Sequence, residues 1–246
     1  TQIVVPAAQQ ALAEALAAAG KPLVVLLRNG RALALQGAVR DAQAIAVTWF
    51  LGSQTGHGVA DVLFGDYNPS ACLPVSFPQD SGQQPLFYNH PRTGRPELPD
   101  VHEYKSRWRE FTADALYPFG HGLSYTSFAY GTPQLSTAQL GWDETLVITA
   151  TVTNIGAVAG ETVVQLYVHD RVASRVRPVR ELKGFNKIAL LAGESAQVQF
   201  QLDRQLLAFT GTDLVFGAEP GLFDLWVTDS SANGSAVQFE LLPPKG

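Results

Sequence analysis

The carboxylates Asp41, Asp61, Asp66, Glu103, Glu110 and Asp114 are the residues whose type could carry acid/base hydrolysis. Hydrolysis of a glycoside needs two carboxyl groups across one bond, close together for retention and farther apart for inversion. These six lie in helix, turn or loop settings where a solvated or capping carboxylate is the commoner occupant, so no catalytic pair is assigned. The histidines His57, His90, His102, His121 and His169 show no i, i+4 pair and no Cys or carboxylate companion at metal-ligand spacing. Neither a metal site nor a cofactor is expected. Gly52-Ser53-Gln54-Thr55-Gly56-His57-Gly58 reads GxxxGxG instead of the GxGxxG of a dinucleotide loop. Ser124, in GLSYT, lacks the second Gly of a nucleophile elbow and leads into a strand. Cys72 has no second thiol to pair with and reads as a packed side chain. Asn233-Gly234-Ser235 spells a glycosylation sequon, and a tight turn explains Asn-Gly equally well.

The elements that would position these residues can be read from the apolar spacing. Residues 44–50 form a short apolar run ending in two aromatics, the length of a strand buried on both faces. A turn follows, with glycines that permit positive φ and hydroxyls that can cap the helix announced by Val59, Val62 and Leu63. The cluster at 65–70 ends that helix, and residues 73–77 read as another buried strand, giving a βαβ unit and a parallel sheet. Loops at the carboxyl ends of parallel strands form the ligand-facing edge, which places the 52–58 turn there; plain helix capping accounts for the same residues. Upstream, residues 6–20 predict a helix with Pro6 in its first turn, Gly20 at its end, and an apolar face of Leu12, Leu16 and their Ala neighbours. Residues 23–27 read as a strand, and 32–35 as a short extended or helical piece. Through residue 80 this is the content of a three-layer α/β sandwich domain.

Residues 79–116 are too rich in Gly, Pro, Asn and Asp for long regular elements, yet they interleave Phe87, Tyr88, Tyr104, Arg107, Trp108 and Phe111. That composition describes an ordered linker laid against a surface. Residues 117–125 then lead into an alternating run toward Phe128 and Tyr130. From Pro133 the period is two: Leu146, Ile148, Ala150 and Val152, then Val164, Leu166 and Val168, and further sets ending at Leu202, Val227 and Leu241. About a hundred residues with some seven short antiparallel strands read as an all-β immunoglobulin-like sandwich. The expected division is 1–80, a linker with a returning strand over 81–131, and 132–246.

The 246 residues suffice for two domains of ordinary size. A net charge of −5 provides no basic field for nucleic acid or an anionic membrane surface, and no apolar run approaches a membrane span. Hydrophobic content of 46% against 16% charged residues describes a globular chain with a sizeable core. The chain begins TQIVVP without an initiator Met or a signal-like segment, and reads as a piece of something longer.

Four stretches carry a resemblance: GKPLVVLLRNGRALAL, WFLGSQTGHGVADVLFGDYNPSACLPVSFP, LYPFGHGLSYTSFAY and SRVRPVRELKGFNKIALLAGES. In this order they resemble the C-terminal half of glycoside hydrolase family 3 β-glucosidases, over essentially the whole chain. The resemblance implies an α/β sandwich domain followed by a fibronectin type III-like domain, with an N-terminal β/α barrel ahead of them. It implies retaining hydrolysis of terminal, non-reducing β-D-glucosyl or related residues, and a periplasmic or secreted location. The family's nucleophilic aspartate belongs to the barrel, and its acid/base glutamate lies just upstream of the level of Val5-Pro6. Neither maps onto a residue here, so the chain alone is expected to be inactive. Gln54 stands where the family usually has Glu, and Ala71-Cys72 where it has Gly-Lys. Gln54 and His57, with Tyr104, Arg107 and Trp108, are the residues the resemblance places near the barrel mouth as a substrate-binding rim; domain packing is the plainer role for them. A stand-alone carbohydrate-binding module and a structural or homodimerisation piece remain as other readings.

Overall fold

The computed structural model describes residues 2–96, 104–106 and 108–245. The chain splits into two compact units, each built from three stretches: 1–67, 75–86 and 107–118 in the first, 68–74, 87–106 and 119–246 in the second.

In the first unit, helix α1 (Ala7–Ala17) begins after Pro6, which lacks the N–H a helix start would leave unpaired. Strands β1 (Val24–Leu27) and β2 (Ala44–Val47) pair in parallel, Val24 opposite Ala44 and Leu27 opposite Val47. Between them lies the short helix α2 (Gly37–Arg40). The parallel crossover therefore precedes β2, one element earlier than the spacing predicted. Helix α3 (Thr55–Phe64) follows β2 and ends on Gly65 at φ +85°, a left-handed position suited to glycine.

Three expectations need correction. Residues 73–77 form no strand: Phe77 alone makes a bridge, to Tyr117, because Pro74 and Pro78 remove the donors a central strand needs. The run 44–50 is not a strand buried on both faces. It stops at Val47, Trp49 takes φ +45°, and Phe50 is 75% exposed. Leu12 and Leu16, the expected core face of α1, are exposed. Contact with α2 is made by polar atoms instead: the Ala38 amide donates to Glu14 Oε1 at 2.9 Å, and Gln10 Nε2 donates to Gln36 O at 3.0 Å. The buried centre is small, with Leu27, Ala34, Leu35, Val39 and Phe77, and the Phe77 ring lies against Trp49 and Tyr117.

The second unit is a sandwich. Its strands are β3 (Phe128–Tyr130), β4 (Gln134–Leu135), β5 (Gln139–Leu140), β6 (Leu146–Asn154), β7 (Gly160–Asp170), β8 (Glu181–Leu190) and β9 (Ser195–Leu202). After a single helical turn, α4 (Arg204–Leu207), come β10 (Phe209–Thr210), β11 (Phe216–Gly217), β12 (Gly221–Thr228) and β13 (Val237–Leu241). One sheet runs β5-β13-β12-β7-β8; the other runs β3-β6-β4 with β9 also on β6. The alternation works as read: Leu146, Ile148, Ala150 and Val152 point inward against Val164, Leu166, Val198, Phe200, Phe223, Leu225 and Phe239. Pairing is antiparallel except β5 on β13, which is parallel. Phe223 and Phe239 stack at 5.2 Å within this core.

Within this unit, residues 88–91 of the aromatic-bearing stretch pack against the sandwich. Tyr88 stacks on Phe119 at 4.2 Å and meets the fully buried Tyr167 edge-on, while its hydroxyl accepts from the Leu182 amide. Pro91 bridges Pro178, and the Val179 amide donates to His90 O.

Candidate functional site

The carboxyl ends of β1 and β2 are followed by different loops, and the second runs through a single 3-10 turn (Gly52–Gln54) straight into α3. No side chain caps that helix; the Thr55 hydroxyl donates to Gly52 O at 2.6 Å instead. The capping account of this sequence therefore fails, and residues 55–58 form the first helical turn instead of a loop. Helical spacing brings Gln54 and His57 onto one exposed face. His57 Nδ1 lies 2.7 Å from Gln54 Oε1, within hydrogen-bond distance.

Trp108 stacks on Phe111 with centroids 5.3 Å apart, and it remains 42% exposed. The segment carrying it is tied to 79–83 by glutamine side chains: Gln79 Nε2 donates to Asp114 O at 2.8 Å and Gln83 Nε2 to Thr112 O at 3.1 Å. Asp80 caps the turn between them by accepting from the Gly82 amide. The edge of the indole lies 3.7 Å from where a Cβ on Gly82 would sit, an ordinary packing distance. Tyr104 belongs to the second unit, where it stands 85% exposed at φ +55°. Arg107, together with Glu103 and His102, lies outside the described residues.

Within the second unit a half-open cavity of about 280 Å³ is lined by Ser70, Cys72, Ser127, Tyr130, Glu161 and Asp229 among others. Sequence reasoning missed it because its walls come from four separate stretches of chain. It holds two carboxylates, Glu161 and Asp229. Lys187 sits 2.6 Å from Glu161 and, with Ser70, holds its carboxyl below the usual range. Asp229 Oδ1 accepts from Asn233 Nδ2 and Thr228 Oγ1. Burial raises the Cys72 thiol and pushes the Tyr130 phenol to about 12, so neither is a nucleophile near neutrality. Burial lowers His121.

Asp41, one of the sequence candidates, is ion-paired with Arg40 at 2.8 Å on the surface, and that bond lowers its pKa. The carboxyl with the opposite shift is Asp170, pushed up to about 6 by burial despite the nearby Arg177. It is 6% exposed inside the sandwich, closed to any substrate. Its signal was present in the sequence: Asp170 occupies the inward phase set by Val164, Leu166 and Val168. Among the described residues no cluster of three His, Cys, Asp or Glu side chains is arranged to hold a metal ion.

Comparison with known proteins places this geometry. The family model "Glycosyl hydrolase family 3 C-terminal domain" matches residues 1–125, and "Fibronectin type III-like domain" matches 162–231. The chain is 46% identical over 243 residues to a periplasmic β-glucosidase of Salmonella typhimurium, covering 98% of this chain and 32% of the relative. It is 41% identical over 223 residues to a β-xylosidase of Formosa agariphila, covering 91% of this chain and 30% of the relative. The crystal structure of a β-glucosidase from Listeria innocua in complex with gluconolactone superposes with a TM-score of 0.94 at 39% identity, over 98% of this chain and 34% of that one. The chain thus spans about a third of the length of the relatives it matches. With an α/β sandwich domain followed by a fibronectin type III-like sandwich, and nearly all of its own length aligned to these enzymes, this chain belongs to the glycosyl hydrolase family 3 C-terminal domain family.

Proposed function

We propose that this chain is the C-terminal part of a retaining β-glucosidase that removes terminal, non-reducing β-D-glucosyl residues, and that its bond-breaking carboxylates lie on another part of the parent protein. The observation that carries the proposal is the alignment of nearly the whole chain with about a third of β-glucosidases. The described carboxylates support it: Lys187 and Ser70 hold the Glu161 carboxyl below the usual range, and Asp170 is buried. The exposed apolar side chains Leu12, Leu16, Val24, Leu26, Phe50 and Phe64 support an obligate neighbour, the N-terminal barrel domain. A two-stranded sheet of four-residue strands is marginal on its own, which fits the same neighbour.

The relatives include enzymes named for xylosides as well as glucosides, and the glucoside reading rests on the β-glucosidases of Salmonella and Listeria. The periplasmic name of the Salmonella relative supports a periplasmic or secreted location. Within this reading Gln54, His57 and Trp108, on the first unit, belong to the active-site rim. The division at about residues 80 and 131 belongs to the same proposal, and limited proteolysis should cut first between those positions. An aryl β-glucoside assay tests the whole: the isolated chain is expected to release no phenol, and addition of the parent's N-terminal part to restore release. Release by the isolated chain overturns the proposal. Retention on a glucan resin by the isolated chain would favour a binding module instead.

A further inference from the structure

We propose that Asn233 is a modification site, where the chain's own backbone converts the carboxamide to aspartate and isoaspartate. The chain has six asparagines, at 29, 68, 89, 154, 186 and 233, and the residue after each decides whether its main-chain nitrogen can reach the side-chain Cγ. Pro69 has no N–H to give up, and His90, Ile155 and Lys187 carry side chains that crowd the approach. Only Gly30 and Gly234 leave the nitrogen uncovered.

The fold separates these two. Asn29 is 8% exposed, donates from Nδ2 to Arg31 O at 2.6 Å, and is followed by a glycine packed against the Phe50 ring. Its Oδ1 is shut from water, and its amide is held by the Arg31 carbonyl. Asn233 is exposed, on the connection from β12 to β13, and Gly234 stands at φ +85°. Among the described residues the Gly234 amide makes no hydrogen bond, so nothing must be broken for it to attack.

The step balances within the chain and water. The Gly234 nitrogen loses its proton to solvent base and bonds to Asn233 Cγ; the Cγ–Nδ2 bond breaks and the nitrogen leaves as ammonia, giving a five-membered imide. Water then opens the imide at one carbonyl to aspartate or at the other to isoaspartate. The product matters locally because Asn233 Nδ2 now donates to Asp229 Oδ1 at 2.9 Å. Conversion puts a second carboxylate where the donor was, beside the cavity that Asp229 lines, and like charges that close repel. Isoaspartate also lengthens the main chain by one carbon, which disturbs the bond from Arg180 Nη1 to Asn233 O at 2.7 Å.

The test is peptide mapping of the folded chain after incubation in mildly alkaline buffer, beside the same chain in denaturant. The expected result is the amide-to-acid mass shift, with isoaspartate labelling, on the folded chain's Asn233 peptide only, and on both Asn-Gly peptides in denaturant. Asn233→Gln should abolish the shift in the folded chain, together with the acidic species it produces on ion exchange. The proposal is overturned if folded Asn233 stays intact while unfolded Asn233 converts, if Asn29 converts as fast in the fold, or if the peptide carries a glycan mass instead.

Discussion

Asp170 Oδ2 is buried without a hydrogen-bond partner, and so is Arg177 Nε nearby. Burial raises the Asp170 pKa to about 6, while Arg177, the Val172 amide and His169 oppose the shift and Glu219 adds to it. A carboxyl whose folded pKa lies above its unfolded value stabilises the fold fully at acid pH, and that stabilisation is lost as pH rises through about 6. Asp170→Asn should therefore raise the unfolding free energy at neutral pH by up to about 3 kcal/mol and leave it unchanged near the ordinary aspartate pKa. Urea titrations at the two pH values check this. Asn154 is the contrasting case, fully buried and fully partnered: Oδ1 accepts from Thr126 Oγ1 and the Gly156 amide, and Nδ2 donates to Val158 O and Leu190 O. Asn154→Ala strands those groups and should cost about 3 kcal/mol by the same titration, whereas the outward Thr151→Ala should stay within about 0.5 kcal/mol. Trp108→Ala tests the proposed rim in the full-length parent, where a three- to tenfold rise in KM, roughly the worth of one aromatic face, is expected with kcat held. An unchanged KM assigns the ring to packing.

At the scale of elements, the β half was legible because one physical rule governs it: a strand with one wet face must alternate, and β6, β9 and β13 do so residue by residue, as β12 does up to Val227. β8 was not legible, since its outward stretch Phe185–Lys187 is exposed and only pairing along β7 defines it. The α/β half followed the wrong partner for a similar reason. The 73–77 run has the apolar content of a strand, but Pro74 and Pro78 forbid the ladder that composition alone allows. Trp49 at φ +45° ends β2 early, and no local signal announces a left-handed tryptophan. The candidate site was readable only in part. Helical spacing joined Gln54 to His57, whereas the cavity walls depend on long-range contacts that no motif encodes. Helix α1 offers the element-scale test: Leu12→Gln with Leu16→Gln should leave the isolated chain's stability within about 0.5 kcal/mol, because both side chains are already in water. The same pair should reduce its aggregation, read by light scattering. A loss of several kcal/mol would mean that α1 packs by its leucines after all.

At the scale of the whole molecule, the two units differ in how they are held. The second has a continuous apolar core between two sheets; the first has a two-stranded sheet and a handful of buried side chains. Calorimetry of the isolated chain should therefore resolve two transitions, the first unit melting at the lower temperature, and a single cooperative peak would contradict this. Each unit takes three stretches of chain, so the backbone passes from one to the other five times. A gene fragment opening at residue 132 would encode every strand from β4 onward, yet it would strip β6 of β3, Tyr167 of the Tyr88 ring, and Gln165 of the Gly120 carbonyl. The fibronectin-like module is thus no portable cassette. A graft that keeps its native fold has to reach back to Asn68, whose carboxamide oxygen accepts from Ser124 Oγ and the Tyr125 amide, and so carries residues 75–86 and 107–118 of the first unit with it.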